Sequence, residues 1–126
     1  MFATYDDQNI FARILRGEIP NTTVMETDHT LAFRDINPLA PEHVLVIPKG
    51  AYISHDDFAL NAAEAEIVDF IRVTGRICAE LGVQPSTQGA GYRIISNAGT
   101  DGVQDVPHYH LHILAGRPLG RMLSAG

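Results

Sequence analysis

The sequence holds a single cysteine, Cys78, among 126 residues, so it has neither a disulfide framework nor a cysteine-rich zinc site. Basic residues are also scarce: nine Lys and Arg stand against fifteen Asp and Glu, for a formal net charge of −6. A chain of that sign is repelled by nucleic acid at long range, which argues against a generic DNA- or RNA-binding role. An anionic ligand would need donor groups gathered locally. No apolar stretch approaches membrane length. The opening segment MFATYDDQN is acidic and lacks the basic start and apolar run of a signal peptide. A soluble protein of a reducing, cytoplasmic compartment with no membrane partner is therefore expected. Asn21-Thr22-Thr23 fits the glycosylation pattern but reads as an ordinary loop. Repeats, low-complexity tracts and linkers are absent.

What is present suffices for one domain over residues 1–126. Hydrophobic residues make up 45% and charged ones 19% of the chain, a balance that favours a packed core over disorder. A chain of this mass exposes roughly 6,600 Å² when folded against roughly 19,900 Å² unfolded, so about two-thirds of the surface is buried without a staple.

The pattern predicts a short helix in which Ile10, Phe11, Ile14 and Leu15 form one stripe, capped by Asp6 or Asp7 and stopped by Gly17. Thr22–Glu26 and Thr30–Arg34 read as two strands about a turn at 27–29, and His43–Ile47 as a third, after a loop with prolines at 38 and 41. One long helix is expected from roughly Leu60 to Leu81, with Ile67, Ile71, Thr74, Cys78 and Leu81 on its inner stripe. Gly91–Ser96 and Pro107–Leu114 complete the strands, joined by a polar loop from Asn97. Two helices and five hairpin-linked strands indicate an α+β fold around an antiparallel sheet.

The chemistry concentrates in His108-Tyr109-His110-Leu111-His112-Ile113-Leu114. Side chains alternate across a strand, so three imidazoles form a row on one face while Tyr109, Leu111 and Ile113 face the core. Six histidines placed at random would yield about 0.01 such runs in this length. Two chemistries fit the row. His-x-His can supply two metal ligands, with His43 as a third. Alternatively one neutral imidazole, His110 by its central position, attacks phosphorus, its other nitrogen held by an acceptor such as a backbone carbonyl. The second chemistry needs a phosphate cradle, for which the glycine-bearing loop Asn97–Gln104 is the candidate. Gly89-Ala90-Gly91 has no helix after it and is no dinucleotide fingerprint. Ser54-His55-Asp56, adjacent in sequence, reads as a surface loop rather than a catalytic triad.

Together with IFARILRGEIP, LAFRDINPLAPEHVLVIPK, GYRIISNAG and HYHLHILAGRPLG, this motif resembles the histidine triad (HIT) superfamily, and within it the Hint branch of nucleoside phosphoramidate hydrolases. The resemblance implies a five-stranded antiparallel sheet joined to its twin in a homodimer. It also implies hydrolysis of a purine nucleoside monophosphate (an AMP or GMP derivative) bonded to an amine or other leaving group, without metal or cofactor. On it, His110 attacks the α-phosphorus and carries the covalent nucleotide, His108 orients that nucleophile, and His112 and His43 contact the phosphate. Asp35 receives the ribose hydroxyls, Asn97 contacts the phosphate or leaving group, and Asp105 and Val106 belong to the substrate-binding set. Ile10, Phe11, Ile14, Phe33 and Ile36 form the slot for the base.

Two departures stand out. Asp105 occupies a position where many Hint proteins have serine or threonine, which opens the choice of leaving group. Asn9 and Ala12 stand where some relatives carry a zinc-binding Cys pair, so no structural zinc is expected. A dinucleoside polyphosphate hydrolase or nucleotidyl transferase is the alternative within phosphorus chemistry. A nucleotide-binding scaffold dimer with little catalysis is the alternative outside it.

Overall fold

The structure, a computed structural model, describes residues 4–123. Positions 1–3 of the acidic start and 124–126 of the RMLSAG tail lie outside them. Helix α1 spans Ile10–Leu15. It is capped by neither Asp6 nor Asp7 but by Asn9, whose Oδ1 accepts from Ala12 N at 2.9 Å. Asn9 is the acceptor that sits three residues before that amide. Gly17, at φ +78, ends the helix as expected.

Strands β1 (Thr23–Glu26), β2 (Thr30–Arg34), β3 (Glu42–Pro48), β4 (Tyr92–Ser96) and β5 (Leu111–Ala115) form one antiparallel sheet in the order β1-β2-β3-β5-β4. The two-residue period divides its core. Ala32, Val44, Val46, Tyr109, Leu111 and Ile113 face one side, and Leu31, Phe33, Leu45 and Ile47 the other with Phe11 and Ile14 of α1.

The expected long helix is present but starts later, at Glu64, and a further short helix precedes it. Helix α2 runs His55–Asn61 and α3 runs Glu64–Glu80, giving three α-helices where two were expected. Ala62 and Ala63 between them are extended, and Glu66 reaches back to accept from Ala63 N at 3.1 Å, starting α3 afresh. Ser54-His55-Asp56 accordingly forms the cap and first turn of α2 rather than a loop. The inner stripe of α3 is Phe70, Val73, Thr74, Ile77 and Cys78, so Cys78 is core as expected. Ile71, one position off that stripe, points outward at 56% exposure. Asp69 ties α3 to the β1–β2 turn by accepting from Thr27 Oγ1 and Thr30 Oγ1. No helix of the described residues is long and apolar enough to cross a membrane.

Candidate active site

The histidine row sits at the start of β5 and against α1. Regular pairing begins only at Leu111, later than the expected strand, because Tyr109 N donates to Tyr52 O at 2.7 Å instead of to a neighbouring strand. The alternation nonetheless extends upstream: Tyr109 enters the core under α3, while His108 and His110 meet the ring of Phe11 edge-on, centroids 6.3 and 5.0 Å away.

Each ring has a different set of partners. His110 donates from Nδ1 to His108 O at 2.7 Å. A carbonyl can only accept, so the neutral ring keeps its proton on Nδ1 and its lone pair on Nε2. His108 donates from Nε2 to Pro48 O at 2.8 Å and accepts at Nδ1 from the Tyr5 hydroxyl at 2.7 Å. His112 Nδ1 lies 2.9 Å from His43 Nε2, and His43 Nδ1 accepts from Leu39 N at 3.1 Å. With Nδ1 of His43 so engaged, its proton is on Nε2 and it donates to His112. Asp35 Oδ2 approaches the same His43 nitrogen at 3.5 Å, while its Oδ1 accepts from Asn37 N.

Burial pushes all four rings below the ordinary histidine value, His108 and His112 to about 4. For His110 the hydrogen bond to His108 O and the charges of Asp105 and Asp35 oppose that fall. Neutral imidazoles at neutral pH are the consequence.

One cleft of about 130 Å³ brings together seven of the expected residues: Phe11, Asp35, Asn97, Asp105, Val106, His110 and His112. Leu45 and Val103 complete its wall and carried no signal in the sequence. Val103 is a β-branched residue at φ +55, a strained conformation of the kind that clusters at functional sites. The cleft lining includes no Lys or Arg. His43 is buried behind His112, and His108 behind His110. Phe33 and Ile14 pack into the core beside Phe11, whereas Ile10 is 44% and Ile36 87% exposed outside the cleft.

The Asn97–Gln104 loop differs from the expected open cradle. The amides of Gly99, Gly102, Val103 and Gln104 are spent on partners within the loop, and Asn97 Nδ2 donates to Gly102 O at 2.7 Å. A side chain at Gly102 would run into Ala98 O, so the turn is closed by backbone contact. A stiff wall, rather than an anion nest, results.

Asp35, His43 and His112 each offer a ligand atom, all within 4.8 Å, and could hold a metal ion. His43 and His112 already satisfy each other there, so a metal would have to displace that hydrogen bond. The group differs from the metal reading of the row, since it takes one histidine of the three.

Comparison with known proteins agrees with this architecture. The HIT domain family model matches residues 16–119. The chain belongs to the HIT family. It is 55% identical to an uncharacterized 13.2 kDa HIT-like protein of Azospirillum brasilense, over the whole of both chains. It is 39% identical to the purine nucleoside phosphoramidase of Escherichia coli (strain K12), covering 94% of this chain and 95% of that one. Among solved structures, a histidine triad protein from Clostridium difficile superposes with a TM-score of 0.78 at 43% identity, covering 95% of this chain and all of the other. The HIT resemblance and the α+β, five-stranded fold expected of it both hold. At the coarse level these relatives support a hydrolase of the HIT family.

Proposed function

We propose that the protein hydrolyses phosphoramidates of purine nucleoside monophosphates by covalent catalysis at His110. The supporting observation is the 2.7 Å hydrogen bond from His110 Nδ1 to His108 O, which leaves Nε2 as a lone pair beside the cleft. Nε2 attacks the α-phosphorus, the P–N bond breaks, and the amine leaves with its electron pair and a proton taken from solvent, which the water of the second step gives back. Water then attacks the nucleotidyl-histidine, releasing the nucleoside monophosphate and returning the neutral ring. The positive charge that develops on His110 is met by the carbonyl on its Nδ1 and by Asp105 and Asp35. His112, hydrogen-bonded to His43, is the second imidazole at the phosphate, and Asp35 is the ribose acceptor.

The charge of the cleft favours this substrate class over dinucleoside polyphosphates. Two carboxylates and no Lys or Arg line it, an arrangement that suits one phosphoryl group and disfavours a chain of them. Incubation with adenosine 5′-phosphoramidate followed by rapid acid quench should trap a protein heavier by one adenylyl group, and the adduct should map to His110. His110→Ala should lose several orders of magnitude in turnover while binding AMP as before. Near-normal turnover in that variant would remove His110 from the role.

The proposal includes a homodimer joined across β4. That strand is a sheet edge, and Tyr92 and Ile94 are 45% and 43% exposed on it. Val68 and Ile71 of α3 are uncovered as well. Sedimentation should report a dimer that Ile94→Asp weakens; a monomeric wild-type protein would refute it.

A further inference from the structure

We propose that Tyr5 is a positioning residue for His110, acting through His108; the inference rests on the reading of His110 as the nucleophile. Tyr5 lies outside residues 16–119, the span that the family model matches. It is nonetheless joined to the centre of the site by an unbroken chain of hydrogen bonds.

The chain runs inward from the phenol of Tyr5, just ahead of the Asn9 cap of α1. The Tyr5 hydroxyl donates to His108 Nδ1 at 2.7 Å, and the two rings pack edge-on with centroids 5.6 Å apart. His108 donates onward from Nε2 to Pro48 O at 2.8 Å, and its own carbonyl receives Nδ1–H of His110 at 2.7 Å. His108 is wholly buried, with 0% exposure. With Tyr5 in place, solvent therefore offers its ring no competing partner.

Clamping both nitrogens has a specific effect. Pro48 O demands a proton on Nε2, and the phenol needs a lone pair on Nδ1, so one tautomer and one ring orientation satisfy both. A flipped ring would aim C–H at each partner. Ring and backbone at residue 108 are thereby held together, and with them the carbonyl that sets the tautomer of His110. Burial holds the Tyr5 phenol above its ordinary value, so it remains a donor throughout the neutral range.

The test is Tyr5→Phe in the full chain, which keeps the edge-on ring and removes only the hydroxyl. With adenosine 5′-phosphoramidate, kcat should fall about tenfold, the cost of one buried hydrogen bond, while KM stays within about twofold. Nitrogen-15 NMR of the histidines should show His108 as a single neutral Nε2–H tautomer in the wild type at pH 7. In Tyr5→Phe it should show mixed tautomers, or a ring that takes a proton at higher pH than before. A second variant, Tyr5→Leu, should reproduce both changes. Wild-type kcat in Tyr5→Phe, or unchanged His108 ring-nitrogen shifts, overturns the inference. If the wild-type protein cleaves no phosphoramidate, the hydrolase reading fails separately. The NMR comparison still decides whether Tyr5 holds His108.

Discussion

Lowering the pH should destabilise this protein earlier and more steeply than carboxylate titration alone would. In the unfolded chain the histidines take up protons as pH falls below about 6.5. In the folded protein burial keeps His108 and His112 neutral down to about 4, and holds His43 and His110 below their ordinary value as well. Between pH 6.5 and 4 the unfolded state thus binds more protons, and stability falls as pH falls. His108 is fully buried, and its drop from 6.5 to about 4 corresponds to about 3 kcal/mol lost by pH 4. His112 is partly reached by water and contributes less. The combined slope near pH 5 should be about 2 kcal/mol per pH unit. Against a total stability of roughly 5–15 kcal/mol, that brings unfolding within reach by pH 4. Urea unfolding followed by far-UV circular dichroism at pH 7.5, 6.5, 5.5 and 4.5, at constant protein concentration, measures it. A free energy that stays flat to pH 5 and drops only below would refute the reasoning.

Removal of the Asp35 carboxylate in Asp35→Ala should weaken AMP binding about tenfold by calorimetry, as expected for lost charge-assisted hydrogen bonds to the ribose; equal affinity before and after would contradict the assignment. Asn9→Ala deletes the α1 cap, buried at 6% exposure, and should cost about 1 kcal/mol in denaturant unfolding. Phe70→Ala, at a 0% exposed position packed against Phe58 and Tyr109, should cost about 4 kcal/mol. A loss under 1 kcal/mol would mean that the α3 face closes around the gap.

The features legible in the sequence are those written in a fixed period. Alternation across a strand is two residues everywhere, so the side of the sheet taken by His110 and His112 could be read directly, as could the opposing side of Leu111 and Ile113. Boundaries set by side-chain reach were not legible. The break at Ala62-Ala63 carries no glycine or proline, and its cause is a Glu66 carboxylate returning to an amide three residues back. Asn9 displaced Asp6 and Asp7 as cap for the same kind of reason, since all three can accept and only geometry selects one. Ile71 was misplaced because Phe70, Thr74 and Ile77 define a stripe rotated by one residue from the Ile67-Ile71-Thr74 spacing. Leu45 and Val103 escaped notice as site residues because an apolar strand residue and a loop valine carry no chemical mark.

The three histidines of one short motif do not share one role, and hydrogen bonding is what separates them. His108 has both nitrogens occupied, by a carbonyl and a phenol, and offers the site only its backbone oxygen. His110 has one nitrogen occupied by that oxygen and a lone pair on the other. His112 accepts a hydrogen bond at Nδ1 from His43 Nε2–H, so its own proton is on Nε2, suited to donate to a phosphoryl oxygen rather than to attack phosphorus. Periodicity alone makes the three rings equivalent; the partners at Tyr5, Pro48, Leu39 and His43 leave one ring with both nitrogens held, one with an open lone pair and one with an open N–H. A substitution that alters one of those partners should therefore change what a ring does without moving it from the row.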